Sequence, residues 1–264
     1  MKVTVIIPTF KPKEYIWECL DSVANQTFPK DDFEVIIVLN GCCEPWKSDI
    51  ERYINQNMNG INVSFIQTDF PGVSNARNMA LDNAEGQYVA FLDDDDFVSE
   101  NYLSQLYEKA SEDTISLCYP YAFIDGCAEQ QIKYGITKQY NSLEDCGKVK
   151  FTKARKYFSG PCMKLIPMKF IQERRFDVRF RNGEDSLFMF LISDMFRFVE
   201  CTDRNAIYYR RYRENSAVTA KRSIIERIIN SLRMIKAYSK IYFSGICKYD
   251  LGFFLTRILG ALKL

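Results

Sequence analysis

The sequence predicts an α/β chain with a mainly parallel central sheet and a helical C-terminal tail. Three observations carry this. Over residues 1–110, short β-branched runs alternate with helical apolar spacing, the pattern of βαβ units with right-handed crossovers. One run, Tyr88-Val-Ala-Phe-Leu92, sits between Gly86 and four consecutive aspartates, Asp93 to Asp96. An apolar run so bounded reads as a buried strand of a parallel sheet, with a ligand crevice at its carboxyl end. From Lys221 onward, nine Lys and Arg stand against two acids around a stripe of isoleucines.

Val3 to Pro8 is β-branched and stopped by proline, hence a first strand. Glu14 to Gln26 places Ile16, Cys19, Leu20 and Val23 at helical spacing. Phe33 to Leu39 is a second buried strand, ended by Asn40-Gly41. A polar helix follows over 47–56, a third strand over 62–67, a helix over 73–84 and the fourth strand over 87–92. Beyond Ser111 the pattern loosens. Ile115 to Ile124 reads as one strand, 125–160 as polar and irregular, Glu184 to Ser193 as helix, and Ala206 to Arg211 as a short strand. In the tail, Ile224, Ile225, Ile228, Ile229, Leu232 and Ile235 form a helical stripe among Arg227, Arg233, Lys236 and Lys240.

Composition narrows the chemistry. With 264 residues, 47% hydrophobic and 26% charged, the chain is globular and long enough for a substantial core. Its net charge of +1 conceals a tail of +7 on a body of −6. There is no histidine, which excludes Ser-His-Asp and Cys-His nucleophiles and histidine metal sites. A general base must then be Asp, Glu, Lys, Tyr or Cys. Nine cysteines without a CxxC pair read as reduced thiols in a cytoplasmic chain, Cys42 and Cys43 filling a loop. No apolar run approaches the ~20 residues that span a bilayer.

Four adjacent carboxylates repel one another unless a cation or strong donors sit among them. Hard ions such as Mg²⁺ are held by one or two carboxylates plus substrate phosphates. The plainer alternative is a solvated acidic turn capping a helix that starts near Ser99 and Glu100.

The order of motifs is specific. Ile7-Pro8-Thr9-Phe10 and Leu39-Asn40-Gly41-Cys42 end strands, and Gly72 to Asn78 opens a helix containing Arg77. Asp93 to Asp96 follow, then Cys162-Met-Lys164-Leu165, Gly183-Glu184-Asp185, and Tyr209-Arg210 with Asn215-Ser216. This array, over residues 1–220, resembles the family 2 glycosyltransferases, which have the nucleotide-sugar-binding GT-A fold.

The resemblance implies a domain over 1–220, with a nucleotide-binding half at 1–110 and an acceptor and catalytic half at 111–220, followed by a basic amphipathic tail over 221–264. It implies inverting transfer of a sugar from a nucleoside-diphosphate sugar, expected to be a UDP-sugar, to a hydroxyl acceptor in cell-surface glycan assembly. Pro8, Thr9, Phe10 and Asn40 would hold the base, with Arg77 near the nucleotide. Asp93 and Asp94 would face the donor, and Asp95 with Asp93 would ligate Mn²⁺ or Mg²⁺. Asp96 would support the turn. Asp185 would act as base, with a helix cap as its plainer role; Glu184 and Lys164 would lie on the acceptor side. Arg210 and Arg213 would clamp the diphosphate. The chain departs from the family in carrying Leu39-Asn40 where relatives often have acids, and in lacking histidine near Arg213.

The alternatives are a sugar nucleotidyltransferase, disfavoured because Pro8 to Pro12 contains no glycine-rich phosphate loop, and a non-catalytic nucleotide-sugar-binding module. Expected partners are the donor and a glycan or lipid-linked acceptor, with no nucleic acid. For the tail, an anionic membrane surface, a homodimer interface and a cover packed on the body remain open.

Overall fold

The computed structural model describes residues 1–213, 223–245 and 247–262. The first half alternates as expected: β1 (Val3–Thr9), α1 (Tyr15–Ala24), β2 (Phe33–Asn40), α2 (Trp46–Asn57), β3 (Asn62–Thr68), α3 (Val73–Asp82) and β4 (Tyr88–Phe91). These strands pair in parallel in the order β3-β2-β1-β4. Every residue of β1 and β2 is buried, which explains why both read as unbroken apolar runs rather than alternating ones.

The second half comprises β5 (Phe97–Val98), α4 (Tyr102–Lys109), β6 (Thr114–Leu117), β7 (Tyr119–Ile124), β8 (Cys127–Gln131), α5 (Gly135–Tyr140) and β9 (Val149–Lys150). It continues through β10 (Lys164–Pro167), α6 (Met168–Ile171), α7 (Glu184–Leu191), β11 (Phe198–Cys201) and β12 (Ile207–Tyr212). The central sheet extends from β4 through β10, β6, β11 and β9, with β10 and β9 antiparallel to their neighbours. A mainly parallel sheet is therefore what forms, with a mixed far side.

Two expectations need correction. The run Ile115–Ile124 is two strands in two sheets. It breaks at Cys118, whose N–H donates to Met163 O at 3.2 Å, while Tyr119 N–H donates to Ala206 O at 2.8 Å. Uniform β propensity cannot reveal that the partners change midway. The stretch 125–160 is also not irregular: it holds β8, α5, β9 and a 3₁₀ segment over Phe151–Ser159.

The second sheet runs β5-β12-β7-β8 and decides the site. Because Tyr208 pairs with Val98 and Tyr209 with Phe97 of β5, which directly follows Asp96, the arginine-rich end of β12 lies beside the Asp93–Asp96 turn.

The tail forms two helices, α8 (Ile224–Ser244) and α9 (Leu251–Leu262). The isoleucine stripe does not cover the body: Ile225 is 70% and Leu232 62% exposed. Packing uses the opposite residues, Met234 and Tyr238 of α8 and Phe253 and Phe254 of α9, the three rings all lying near Phe190. The predicted boundary at 220–221 and the Asn215-Ser216 pair fall outside the described residues. No helix among the described residues is long and apolar enough to cross a membrane.

Candidate active site

The site begins where β1 and β4 end side by side, with Ile6 opposite Phe91. Thr9, at the end of β1, thereby reaches the aspartate turn, and its hydroxyl donates to Asp94 Oδ2 at 2.5 Å. Pro8 is buried within β1 opposite Val38, whereas Phe10 emerges 50% exposed. Asn40 has a different task from the one expected. It is 3% exposed; its Nδ2 donates to Thr9 O at 2.7 Å and its Oδ1 accepts from Gly72 N at 2.8 Å. Both ends of its amide are committed to backbone, so it braces the ends of β1 and β2 against the start of α3 instead of reading a base. Gly41, at φ 66°, belongs to this brace: a Cβ there would lie 2.6 Å from Pro71 Cβ.

Arg77 projects from α3 with only 3% of its side chain exposed. Nη2 donates to Asp93 Oδ1 at 2.9 Å and Nη1 to Asp185 Oδ1 at 2.5 Å. Its guanidinium centre lies 5.3 Å from the Phe176 ring centroid. The arginine expected near the nucleotide has its fork spanning two carboxylates brought together from positions 93 and 185. The planar, multi-donor guanidinium suits bridging two acids in this way.

The β12 arginines neutralise the rest. Arg210 Nη1 lies 3.0 Å from Asp93 Oδ2 and 3.3 Å from Asp96 Oδ2. Arg213 lies 2.5 Å from Asp95 Oδ2, over the Tyr15 ring. Asp96 is buried and fully occupied, accepting also from the Tyr208 hydroxyl at 2.8 Å and Arg211 N at 2.8 Å. Arg211 itself turns to Glu18 and Asp125. Tyr208, Arg211 and Glu18 were not singled out from sequence. A usable signal existed, since four acids at one strand end require about as many donors, and Tyr208 to Arg213 is the densest supply in the chain.

Electrostatics separates the acids. Burial pushes Asp93 up, but Arg77 and Arg210 outweigh it and hold the carboxyl below its ordinary range. Desolvation, with the charges of Asp95 and Asp93, pushes Asp94 up to about 7 against the Thr9 hydroxyl and the Arg213 charge. Burial raises Asp96 to about 8 and Glu184 to about 7. Burial also lifts Asp185 above its ordinary value, against the pull of Arg77. Asp185 lies in the first turn of α7, after the N-cap Gly183, and its Oδ1 accepts from Arg77.

Carboxylate oxygens of Asp93, Asp95 and Asp96 lie within 4.8 Å of one another. Asp96 is spent on its tyrosine, arginine and backbone partners. Asp93 and Asp95 are more exposed, but Arg77 and Arg210 hold the two oxygens of Asp93 and Arg213 holds Asp95 Oδ2, so a hard cation such as Mn²⁺ or Mg²⁺ would bind there in place of arginine contacts.

Lys164 also departs from expectation. It is 0% exposed, and its Nζ donates to Gly160 O at 2.7 Å and Cys162 O at 2.5 Å. Rather than meeting an acceptor directly, it ties down the loop beside Asp185, whose Oδ2 would lie 3.9 Å from a Cβ at Gly160. Burial lowers its ammonium to about 8. Glu184 is 8% exposed, and its Oε2 has no hydrogen-bond partner. None of the nine cysteines is paired; Cys42 accepts from Lys11 N and fills the 40–43 loop.

Comparison with known proteins agrees with this architecture. The model of glycosyl transferase family 2 matches residues 4–172. The poly(ribitol-phosphate) β-N-acetylglucosaminyltransferase TarS of Staphylococcus aureus is 39% identical over 103 residues, 39% of this chain and 18% of that protein. A GalNAc(5)-diNAcBac-PP-undecaprenol β-1,3-glucosyltransferase of Campylobacter jejuni is 27% identical over 220 residues, 81% of this chain and 66% of that protein. Among solved structures, S. aureus TarS 1–349 in complex with UDP-GlcNAc superposes with a TM-score of 0.74 at 23% identity, covering 99% of this chain and 72% of that one. Against the longer TarS structure, the chain spans 43% of the length.

Proposed function

The chain belongs to glycosyl transferase family 2 and has its GT-A fold, and from that premise we propose that it transfers a sugar, with inversion, from a UDP-sugar to a hydroxyl acceptor in cell-surface glycan assembly. One observation carries the reading: a single buried guanidinium, Arg77, joins the donor-side carboxylate Asp93 to the candidate base Asp185. The expected donor-side acid and the candidate proton acceptor thus stand one arginine apart, which supports a single site in which both act.

In this mechanism Asp185 takes the proton of the acceptor hydroxyl. The oxygen's electron pair forms the bond to the anomeric carbon, and the bond from that carbon to the diphosphate oxygen breaks. A carboxylate raised above its ordinary pKa is a better proton acceptor than an unperturbed one. Arg210 and Arg213 supply positive charge at the leaving diphosphate. Phe10, exposed at the end of β1, offers a ring face to the base. Asp93 and Asp95 would hold Mn²⁺ or Mg²⁺, which supplies Lewis-acid neutralisation of the leaving group. TarS was solved with UDP-GlcNAc, and the names of both relatives specify phosphate-bearing acceptors, which supports donor and acceptor classes of this kind.

Calorimetric titration of UDP with wild type and Asp95→Ala, with Mn²⁺ and with chelator, tests the donor site. Tighter binding with metal, abolished by the substitution, is expected. Binding that ignores both the metal and the substitution overturns the assignment.

A further inference from the structure

A recess of about 1010 Å³ lies between the 179–186 segment, α8 and α9, apart from the aspartate turn and large enough for a chain-like ligand. Its walls are strongly basic. Arg181, Arg227, Arg233 and Arg257 line it, and among the described residues none has a carboxylate partner. Arg179 also lines it but is paired with Asp177 at 2.6 Å. The acid in its wall, Glu226, is occupied in capping α8 by accepting from Ser223 N.

Arg257 is the informative member. Its Nη1 donates to Ser186 Oγ at 3.0 Å and its Nη2 to Arg155 O at 3.0 Å, yet its buried Nε has no partner. Burial, with a smaller push from the neighbouring Arg155 charge, lowers this guanidinium to about 10. An arginine held under these conditions without an acid calls for an anion. Surface arginines by themselves are usually solvated; a recess that concentrates four of them focuses their field and selects negative ligands.

The cavity also shares a wall with the candidate catalytic helix. Gly183 and Ser186, in and just before the first turn of α7, line it, while Asp185 between them reaches Arg77. α8 is locked to that turn by the 2.8 Å Ser186–Tyr238 hydroxyl bond and by Met234, whose Cε would lie 2.8 Å from a Cβ at Gly183.

We propose that this arginine-lined cavity is the acceptor site, and that the acceptor carries phosphate: its phosphate groups lodge against Arg227, Arg233 and Arg257 and bring the neighbouring hydroxyl to the α7 side where Asp185 stands. The guanidinium fork matches phosphate oxygens bidentately. A planar bilayer cannot enter a recess between helices, whereas a phosphodiester chain or a diphosphate-linked sugar can. The assignment deepens the sugar-transfer reading above and rests on it for the identity of Asp185 as base.

The test measures binding of a glycerol-phosphate oligomer, of farnesyl diphosphate in neutral detergent micelles and of a neutral glycan oligomer of similar length. Wild type is compared with Arg227→Glu/Arg233→Glu, and UDP binding is followed in parallel. Phosphate-bearing probes should bind, weaken with salt and lose about tenfold or more in the variant, with UDP affinity unchanged. Preference for the oligomer or for the micellar diphosphate identifies which phosphate source fits, and either supports the assignment. Equal binding of the neutral glycan, an unaffected double variant, or binding only to phosphatidylglycerol vesicles overturns it. Loss of UDP binding by wild type with oligomer binding retained would strike the donor-site reading and leave the cavity assignment standing.

Discussion

Replacing Arg77 by methionine isolates the contact on which the site depends. The guanidinium is 3% exposed and makes ion pairs of 2.9 Å with Asp93 and 2.5 Å with Asp185, while those carboxylates keep 25% and 30% exposure. Removing one partner of a buried ion pair costs about 3–5 kcal/mol. Because solvent still reaches both acids, the lower end applies, about 3 kcal/mol, and at about 2–4 °C per kcal/mol Tm falls by about 6–12 °C. The pH dependence identifies the cause. In wild type Asp93 is held below its ordinary value, so its stabilisation is present above that value and is lost as pH falls through the folded one. In the variant Asp93 keeps Arg210 but loses Arg77, and Asp185 loses its ion-pair partner, so both carboxyls rise relative to wild type and the variant loses stability relative to wild type as pH rises above their ordinary values. The two proteins therefore converge on acidification. Urea unfolding near about pH 5 and about pH 7 measures this directly. A loss below about 1 kcal/mol, or one of equal size at both pH values, would refute the bridging account.

Asp185→Asn keeps shape and one Arg77 contact but cannot accept a proton, so transfer should fall by about 10²–10⁴-fold with UDP affinity retained; steady-state rates alongside calorimetry check this. Gly183→Ala should destabilise by about 1–2 kcal/mol or more, because φ is 82° and the new Cβ meets Met234. Thermal melts of Gly183→Ala alone and with Met234→Ala separate backbone strain, which persists, from the clash, which is relieved. For Lys164, lowered to about 8 from 10.5, the unfolded chain binds the extra proton between those values. Stability of wild type relative to Lys164→Met should therefore rise from about pH 8 to about pH 10, and a flat difference in unfolding free energy would contradict the buried ammonium.

Local pattern determined much of this protein. The strand and helix order of the first half follows from residue periodicity, because a fully buried parallel strand must be apolar throughout and an amphipathic helix must repeat near every fourth residue. The absence of histidine limited the base to another side chain, and the tetrad Asp93–Asp96 marked the carboxyl end of the strand around which the site is built. Tertiary structure decided who neutralises whom. The Arg77–Asp185 and Arg210–Asp93 pairs join residues more than a hundred positions apart, and the second pair exists only because β12 docks beside β5. The same long-range packing turned Asn40 into a brace, buried Lys164 beneath a loop, split 114–124 between two sheets and left the isoleucine stripe of α8 facing outward. Periodicity reports that a face is apolar; which neighbour covers it depends on where distant elements come to rest.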